Sequence, residues 1–127
     1  MRIAIDTSRY SDFARGDQHT TSIFEHADRV YVPFTTLAEL RAGFLGGTKS
    51  AVNEQNLQKF LNQPSVETLY ADEQTTHHFA RLFHQLRRQG TPIPTNDIWI
   101  GALCVQYDLL LCARDQHFDH LPQLPRI

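Results

Sequence analysis

The chain has 127 residues, 41% hydrophobic and 20% charged, with 12 Lys and Arg against 14 Asp and Glu and a formal net charge of −2. At this length we expect one domain that buries about two-thirds of its surface, enough for a core without disulfides or a structural metal. The composition excludes collagen-like, disordered and disulfide-framework proteins, and no apolar run approaches the ~20 residues of a membrane span. The charge argues against a purely electrostatic nucleic-acid binder, but not against an enzyme that acts on nucleic acid through metal ions.

Short apolar runs alternate with helical spacing in the first half of the chain. Leu37, Leu40 and Phe44 recur at the spacing of one helix face, and the two glycines after them are typical of a helix end. The predicted elements are a buried strand over Ile3–Ile5, a weak helix over Ser22–Ala27, a strand over Val30–Val32 ended by Pro33, and helices over Thr36–Phe44 and Ser50–Leu61.

The second half continues this alternation and contains the clearest amphipathic segment. Phe79, Leu82, Phe83 and Leu86 form one face of a helix that Gly90 closes. Apolar strands separated by helices are typical of a parallel sheet covered on both faces, so we expect one α/β domain over residues 1–127. The predicted elements are a strand over Val66–Tyr70, a helix over Asp72–Gln89, a buried helix over Ile98–Tyr107, a strand over Leu109–Cys112, and a turn-rich tail ending in an edge strand.

The amino terminus and the cysteines bear on the compartment. The apolar run that ends at Ile5 is too short for a secretory signal and has no small-residue cleavage site, so we expect a cytoplasmic protein with no membrane association. Cys104 and Cys112 fit a reducing compartment. Because they lack zinc-ligand spacing, we expect buried core thiols.

Acidic residues occur where predicted strands end and where two predicted helices begin. Asp6 follows the first strand and Asp115 the last, while Glu39 and Asp97 fall in the first turns of helices. Ligands of open parallel α/β sheets bind at the carboxyl ends of the strands. The four carboxylates therefore converge if both helices start at that edge.

The two acids in helices also have structural interpretations. Thr36 and Glu39 have the spacing of a capping box, which taken alone is the commoner role. Thr95 or Asn96 fits the N-cap of the next helix, with Asp97 favoured simply by the positive end of the helix dipole.

The two acids at strand ends differ from each other. Asp115 fits an ordinary turn, whereas Asp6 has no evident capping role. Four converging carboxylates repel one another unless a cation lies among them. Their hard oxygen ligands suit Mg²⁺, or Mn²⁺ as a substitute, better than zinc.

Four segments, taken in order, resemble the acidic motifs of PIN domains, above all those of the VapC-type toxins of bacterial toxin–antitoxin pairs. The resemblance covers essentially the whole chain and implies a three-layer α/β/α sandwich with a central, mostly parallel sheet. It also implies Mg²⁺-dependent endoribonuclease activity, a homodimer, and inhibition by a cognate antitoxin. The segments are Asp6-Thr7-Ser8, Thr36 to Gly43, Asn96 to Ala102, and Leu110 to Phe118.

The same resemblance implies roles for the acids. Asp6 and Asp97 are expected to be the main Mg²⁺ ligands, with Asp115 and Glu39 completing the catalytic site directly or through water. Metal-activated water would then attack the phosphorus of RNA. Three departures from the family pattern remove no carboxylate: Ser8 stands where Asn is frequent, Gly101 where Ala is common, and Ala113 where Thr is usual.

The supporting candidates are less specific. Thr7 and Ser8 fit hydrogen bonds to a carboxylate or a phosphate, and equally the cap of a following helix. Arg114 fits a bidentate phosphate contact or a solvated turn. Asn96 and, as an outer acid, Asp119 complete this set, and the arginines that could lie near the rim are Arg9, Arg15 and Arg41.

Other polar and aromatic residues receive structural interpretations. His117 and His120 alternate with acids, but we interpret the histidines as surface or partly buried residues without a metal role. Trp99 is expected in the core rather than as a base-stacking platform.

Two hypotheses of different classes follow. The leading one is a metal-dependent ribonuclease toxin, and the alternative is a catalytically degenerate PIN-like binding or regulatory module, against which the four acids count. A phospho-receiver is poorly supported because the only lysines are Lys49 and Lys59. A haloacid-dehalogenase-like phosphatase would need a second Asp where Ser8 stands.

Overall fold

The computed structural model describes residues 1–127 and consists of four strands, six α-helices and one 3-10 helix. The strands are β1 (Arg2–Ile5), β2 (Arg29–Pro33), β3 (Val66–Leu69) and β4 (Leu110–Cys112). The helices are α1 (Thr7–Ala14), α2 (Gln18–His26), α3 (Phe34–Gly46), α4 (Ser50–Leu61), α5 (Glu73–Gln89) and α6 (Thr95–Tyr107), and the 3-10 helix is Gln116–His120.

The strands form one parallel sheet in the order β3-β2-β1-β4. Strand β1 lies between β2 and β4, with Ala4 beside Tyr31 on one side and Leu111 on the other. The tail adds only a single parallel bridge, between Leu111 and Arg126, where an edge strand was expected. Because all four strands run the same way, their carboxyl ends share one edge of the sheet.

Each face of the sheet is covered by helices, which confirms the predicted three-layer α/β/α architecture. Side chains alternate across a strand, so Ile3 and Ile5 face the layer of α1 to α4 whereas Ala4 faces the layer of α5 and α6. The first core is filled by β1, β2 and large apolar side chains from four helices: Tyr10, Ile23, Phe24, Leu37, Leu40, Leu57 and Phe60. The second is filled mainly from α5, α6 and the tail: Leu82, Leu86, Ile98, Ile100, Phe118, Leu121 and Leu124.

Several boundaries differ from the prediction, and helix α1 was not predicted as an element. It has few large apolar side chains, Tyr10 and Phe13, so its periodicity is weak. Helix α2 begins four residues before its predicted start, at Gln18, where the Asp17 side chain caps it. Both cysteines are free and buried, as expected. None of the helices combines the length and hydropathy required to cross a membrane.

Candidate active site

Asp6 joins the end of β1 to the start of α1. Its backbone is extended, and its Oδ1 accepts a hydrogen bond of 2.8 Å from the backbone N–H of Arg9, so Asp6 is the N-cap of α1. The expectation that Asp6 has no capping role is therefore wrong. The cap fixes this carboxylate at the carboxyl edge of the sheet, where only 5% of the residue is exposed.

Burial raises the pKa of the Asp6 carboxyl to about 6. The backbone N–H and the charge of Arg9 act in the opposite direction, while the nearby charges of Asp97 and Asp115 raise the pKa further. Asp97 and Asp115 are therefore close enough to Asp6 for their charges to act on its carboxylate. Their mutual repulsion favours a cation among them.

Asp97 lies in the first turn of α6, which starts directly after Pro94. No side chain caps this helix, so the interpretation of Thr95 or Asn96 as an N-cap is wrong. Burial raises the pKa of Asp97, a hydrogen bond from His117 lowers it, and the charge of Asp115 raises it. Asn96 is exposed at this helix start and makes no side-chain hydrogen bond.

Asp115 and His117 approach Asp97 from the turn after β4. The Oδ1 of Asp115 accepts the backbone N–H of His117 at 2.9 Å, which caps the 3-10 helix. This turns the Nδ1 of His117 to 2.8 Å from Asp97 Oδ2 and 3.1 Å from Asp115 Oδ1. The three side chains offer ligand atoms that all lie within 4.8 Å of one another.

His117 is thus the site residue that the sequence interpretation set aside. Its signal was the spacing Asp115-x-His117, which puts an imidazole two residues beyond an acid at a strand end. That pattern alone does not distinguish a surface histidine from one in a site. The distinction depends on Asp97, which is 20 residues away in the chain.

Glu39 is connected to the acids through Thr7. Helix α3 starts at Phe34, after Pro33, and no side chain caps it. The predicted capping box of Thr36 and Glu39 is therefore wrong. The Oγ1 of the buried Thr36 instead donates to the carbonyl of Ile5 at 3.0 Å, which ties α3 to the end of β1.

The Oγ1 of Thr7 donates to Oε1 of Glu39 at 3.1 Å, so neither residue acts as a cap. Glu39 is exposed, whereas Asp6 next to Thr7 is buried. The structure therefore brings Asp97, Asp115 and His117 together, with Asp6 near enough to feel the charges of both acids. Glu39 lies beside this group through its hydrogen bond from Thr7, the residue after Asp6. Ser8 makes no side-chain hydrogen bond and lies in the first turn of α1.

The remaining candidates lie outside this cluster. Arg114 forms two hydrogen bonds with Asp12 of α1, although more than half of its side chain is exposed in the turn after β4. Asp119 pairs with Arg126 at 2.5 Å. Of the arginines considered for the rim, Arg41 pairs with Glu54 of α4, while Arg9 and Arg15 contact Asp12. Trp99 is only half-buried and packs against Phe79 and Phe34.

The donor set fits a hard divalent cation. Neither Lys nor Arg forms an ion pair with Asp6, Asp97 or Asp115, and only His117 approaches two of them. Carboxylate oxygens are the ligands that Mg²⁺ and Mn²⁺ prefer, and a single imidazole is compatible with Mn²⁺. A cation here would offset both the repulsion among the acids and the cost of burying Asp6.

Comparison with known proteins gives a consistent assignment. The PIN domain family matches residues 3–124. Ribonuclease VapC5 of Mycobacterium tuberculosis is 31% identical over 117 residues, which are 92% of this chain and 85% of that protein. Among solved structures, VapBC-5 of Mycobacterium tuberculosis, a member of the VapBC toxin–antitoxin systems, has a TM-score of 0.73 and 27% identity, covering 99% of this chain and 98% of that one.

A second solved structure supports the fold. The DNA-bound VapBC of Salmonella typhimurium has a TM-score of 0.89 and 21% identity, covering 100% of this chain and 97% of that one. The predicted resemblance is therefore confirmed over the full length of the sheet and its helices. Together with the acidic edge, these matches show that the chain belongs to the PIN-domain family and is similar within it to the VapC ribonucleases.

Proposed function

We propose that the protein is a Mg²⁺-dependent endoribonuclease that acts as the toxin of a toxin–antitoxin pair and cleaves RNA phosphodiester bonds. The observation that carries the proposal is that Asp97 and Asp115 lie together with His117 and act electrostatically on the buried Asp6 at the same sheet edge, and that none of the three acids forms an ion pair with Lys or Arg. Asp6 and Asp115 cap helices, but burial and repulsion act against the charged forms of Asp6 and Asp97. A bound cation would offset both the burial and the repulsion of these acids.

Asp6 and Asp97 are the proposed direct ligands, with Asp115 and His117 completing the site and Glu39 acting at its rim. Mg²⁺ usually keeps several waters and takes one or two carboxylates directly, which suits two ligands with further polar groups around them. When bound, the metal lowers the pKa of a coordinated water and neutralises charge that develops on the phosphate. Mn²⁺ is expected to substitute.

The side chains around these ligands hold them in position. The N–H of Arg9 fixes one oxygen of Asp6 and leaves the other free. The Nδ1 of His117 lies within hydrogen-bond distance of Asp97 and orients that carboxylate. The hydroxyl of Thr7 orients Glu39. Such outer contacts fix ligand geometry and typically change metal affinity or activity 10- to 100-fold when removed.

The proposed partners follow from the relatives. Solved VapBC structures are toxin–antitoxin assemblies, so we expect a cognate antitoxin that inhibits this chain. A homodimer is expected from the same resemblance and is tested by light scattering of the purified protein. An RNA substrate and two free, buried cysteines are consistent with action in the cytoplasm.

Asp97→Asn tests the proposed activity, because the amide keeps the shape of the carboxylate but removes its charge. We expect cleavage of total cellular RNA in Mg²⁺ to fall by roughly 10³-fold, because a proposed metal-binding carboxylate is lost. The matched control is Asp28→Asn, which removes the same charge at the amino edge of the sheet, where Asp28 pairs with the chain's own amino terminus. It should cleave like the wild type.

Wild-type-like cleavage by Asp97→Asn would contradict the assignment of the site. The alternative, a degenerate binding module, predicts no cleavage by any form of the protein. It also predicts no thermal stabilisation by millimolar Mg²⁺ or Mn²⁺, since only a ligand bound to the folded state raises its stability. The active enzyme should be stabilised by the metal, and Asp97→Asn should lose that stabilisation.

A further inference from the structure

The buried carboxylate of Asp12, near the carboxyl end of α1, contacts three arginines. Arg114 donates from Nε and Nη2 to its two oxygens at 2.8 and 2.9 Å. Arg15 donates to Oδ1 at 2.7 Å, and Arg9 lies 3.8 Å from Oδ2. The bonds to Arg114 join segments 102 residues apart, so they connect α1 to the turn that carries Asp115.

The guanidinium of Arg114 is fixed by Asp12 but keeps unpaired hydrogen-bond donors. Two parallel hydrogen bonds to a carboxylate fix the plane of a guanidinium, which has five N–H donors in total. The Nη1 of Arg114 makes no hydrogen bond, and 54% of the side chain is exposed. An exposed guanidinium with free donors and a fixed orientation can bind an anionic ligand without first having to be ordered.

This guanidinium lies beside the acidic site. Arg114 directly precedes Asp115, at the same edge of the sheet as Asp6. Hydrogen bonding to Asp12 raises the pKa of Arg114, and the charge of Asp6 raises it further. The three arginines and Asp12 together carry a net positive charge next to the negative acidic cluster.

An RNA strand has negative phosphates on both sides of the one that is cut. A metal ion held by the acids would neutralise the phosphate that is cut, and the next phosphate along the strand would need a separate cation. Arginine is suited to this because its donors match phosphate oxygens and it is always charged. Among the arginines on Asp12, Arg9 is mostly buried, and Arg15 makes a single hydrogen bond to the carboxylate, which orients its guanidinium less firmly than the two bonds of Arg114 do.

Building on the proposed ribonuclease activity, we propose that Arg114 binds the RNA phosphate next to the one being cleaved, and that Asp12 is the positioning residue that holds Arg114 in place. The contact is made before and during cleavage alike. It therefore strengthens substrate binding more than it accelerates the chemical step.

The test is steady-state cleavage of a synthetic RNA of about 20 nucleotides spanning a site that the wild type is first shown to cut. Arg114→Gln should raise KM roughly 10- to 100-fold, the range for a hydrogen bond to a charged group, with kcat within about threefold of the wild type. Because one phosphate contact is lost, the slope of log(1/KM) against log[KCl] should become shallower by about 0.7.

Arg15→Gln is the matched control. Arg15 contacts the same carboxylate, is 67% exposed, and contributes the same charge to the cluster. We expect its KM to change less than threefold. Equal changes in KM for the two variants would overturn the proposal, since the cluster would then act only through its overall charge.

The positioning role of Asp12 has its own measurements. Arg114→Lys keeps the charge but loses the two-pronged contact, so KM should rise while the salt slope stays near that of the wild type. Asp12→Asn should raise KM, and adding it to Arg114→Gln should raise KM no further. An additive double variant, or an Asp12→Asn protein that is folded and has the wild-type KM, would contradict the positioning role.

The outcomes also separate this inference from the proposed function. If the wild type cuts no RNA, the ribonuclease proposal fails whatever Arg114 does. If the wild type cuts RNA and Arg114→Gln behaves like the wild type, only the present inference fails. Melting curves for each variant establish that it is folded, and the comparison of Arg114 with Arg15 leaves Asp12 itself unchanged.

Discussion

Helix α1 has a buried aspartate near each end, and the pKa values of the two carboxylates are shifted in opposite directions. Burial raises the pKa of Asp6 at the amino end to about 6. Hydrogen bonds from Arg114 lower the pKa of Asp12 near the carboxyl end, despite its burial. Asp12 has three arginines around it, whereas Asp6 forms no ion pair with any Lys or Arg.

This difference separates a structural charge from a functional one. A buried carboxylate that serves the fold is compensated by the fold itself, as Asp12 is. A buried carboxylate left without a cation costs stability and persists because something outside the chain compensates it. By this criterion the acidic cluster around Asp6 has the charge balance expected of the proposed cation site, whereas the charge of Asp12 is balanced within the fold.

Of the substitutions that test this comparison, Asp6→Asn is expected to change stability and activity the most. The folded protein holds the Asp6 proton more tightly than the unfolded chain, whose pKa is near 3.8, so stability falls as pH rises from about 3.8 to about 6. Above pH 6, ionisation of the buried Asp6 lowers the free energy of unfolding of the metal-free protein by its full amount, up to ~3 kcal/mol. Asn is neutral and still accepts the N–H of Arg9, so the variant should be more stable at pH 7.5 by that amount.

The measurement is urea denaturation in EDTA at several pH values. The gain from Asp6→Asn should be full at pH 7.5 and should shrink towards pH 4, where wild-type Asp6 is protonated when folded. The same variant should lose RNA cleavage and stabilisation by Mg²⁺. A variant less stable than the wild type at pH 7.5 would show that Asp6 serves the fold rather than a cation.

Asp12→Asn should have the opposite sign. A lowered pKa means that ionised Asp12 contributes stability above its unfolded pKa, and that this contribution is lost as pH falls through the folded pKa. Removing the charge leaves three arginines facing one another. Because Arg114 and Arg15 are more than half exposed, solvent screening limits the loss to about 1–2 kcal/mol, less than for a fully buried pair. Urea denaturation at pH 7.5 measures it, and an unchanged midpoint would contradict the compensation argument.

The architecture was predictable because its signals are local. Unbroken apolar strands and the clear amphipathic period of α5 indicate a parallel sheet between helices. The starts of α3 and α6 were less predictable, because Pro33 and Pro94 precede them and no side chain caps either helix. Thr36, predicted to be a cap, instead bonds the carbonyl of Ile5, a contact across 31 residues.

The acids of the site were predictable from their positions at strand ends and helix starts, but their partners were not. Asp6 was identified as unusual, yet the same carboxylate also caps α1, and that helix lacks the apolar period that would have shown it. His117 and Asp12 obtain their roles from Asp97 and Arg114, which are far away in the chain. Such pairs depend on where the turns place side chains, which no local pattern encodes.

His117→Ala examines the imidazole that lies within 2.8 Å of Asp97 Oδ2 and 3.1 Å of Asp115 Oδ1. Its loss frees Asp97 and Asp115 to move, and we expect activity to fall roughly tenfold, typical of an outer ligand contact. The Mg²⁺ concentration for half-maximal cleavage should rise. His117→Asn, whose amide N–H can take the place of Nδ1, should recover part of the activity. His120→Ala, an exposed neighbour, is the control, and an equal loss there would contradict a specific role for His117.

Thr7→Val gives the smallest expected effect and tests how far the site extends beyond its buried acids. Valine keeps the shape of threonine but removes the hydroxyl that donates to Glu39, and Thr7→Ser restores it. Glu39 is exposed and can still be solvated, so we expect a loss in kcat of about threefold, close to the worth of one ordinary hydrogen bond, with little change in stability. A loss as large as that of Asp6→Asn would mean that Glu39 binds the cation as directly as Asp6 does. The acidic cluster at the amino end of α1 would then comprise four metal-binding acids rather than three. Burial would no longer distinguish the acids that depend on the metal, because Glu39 is exposed.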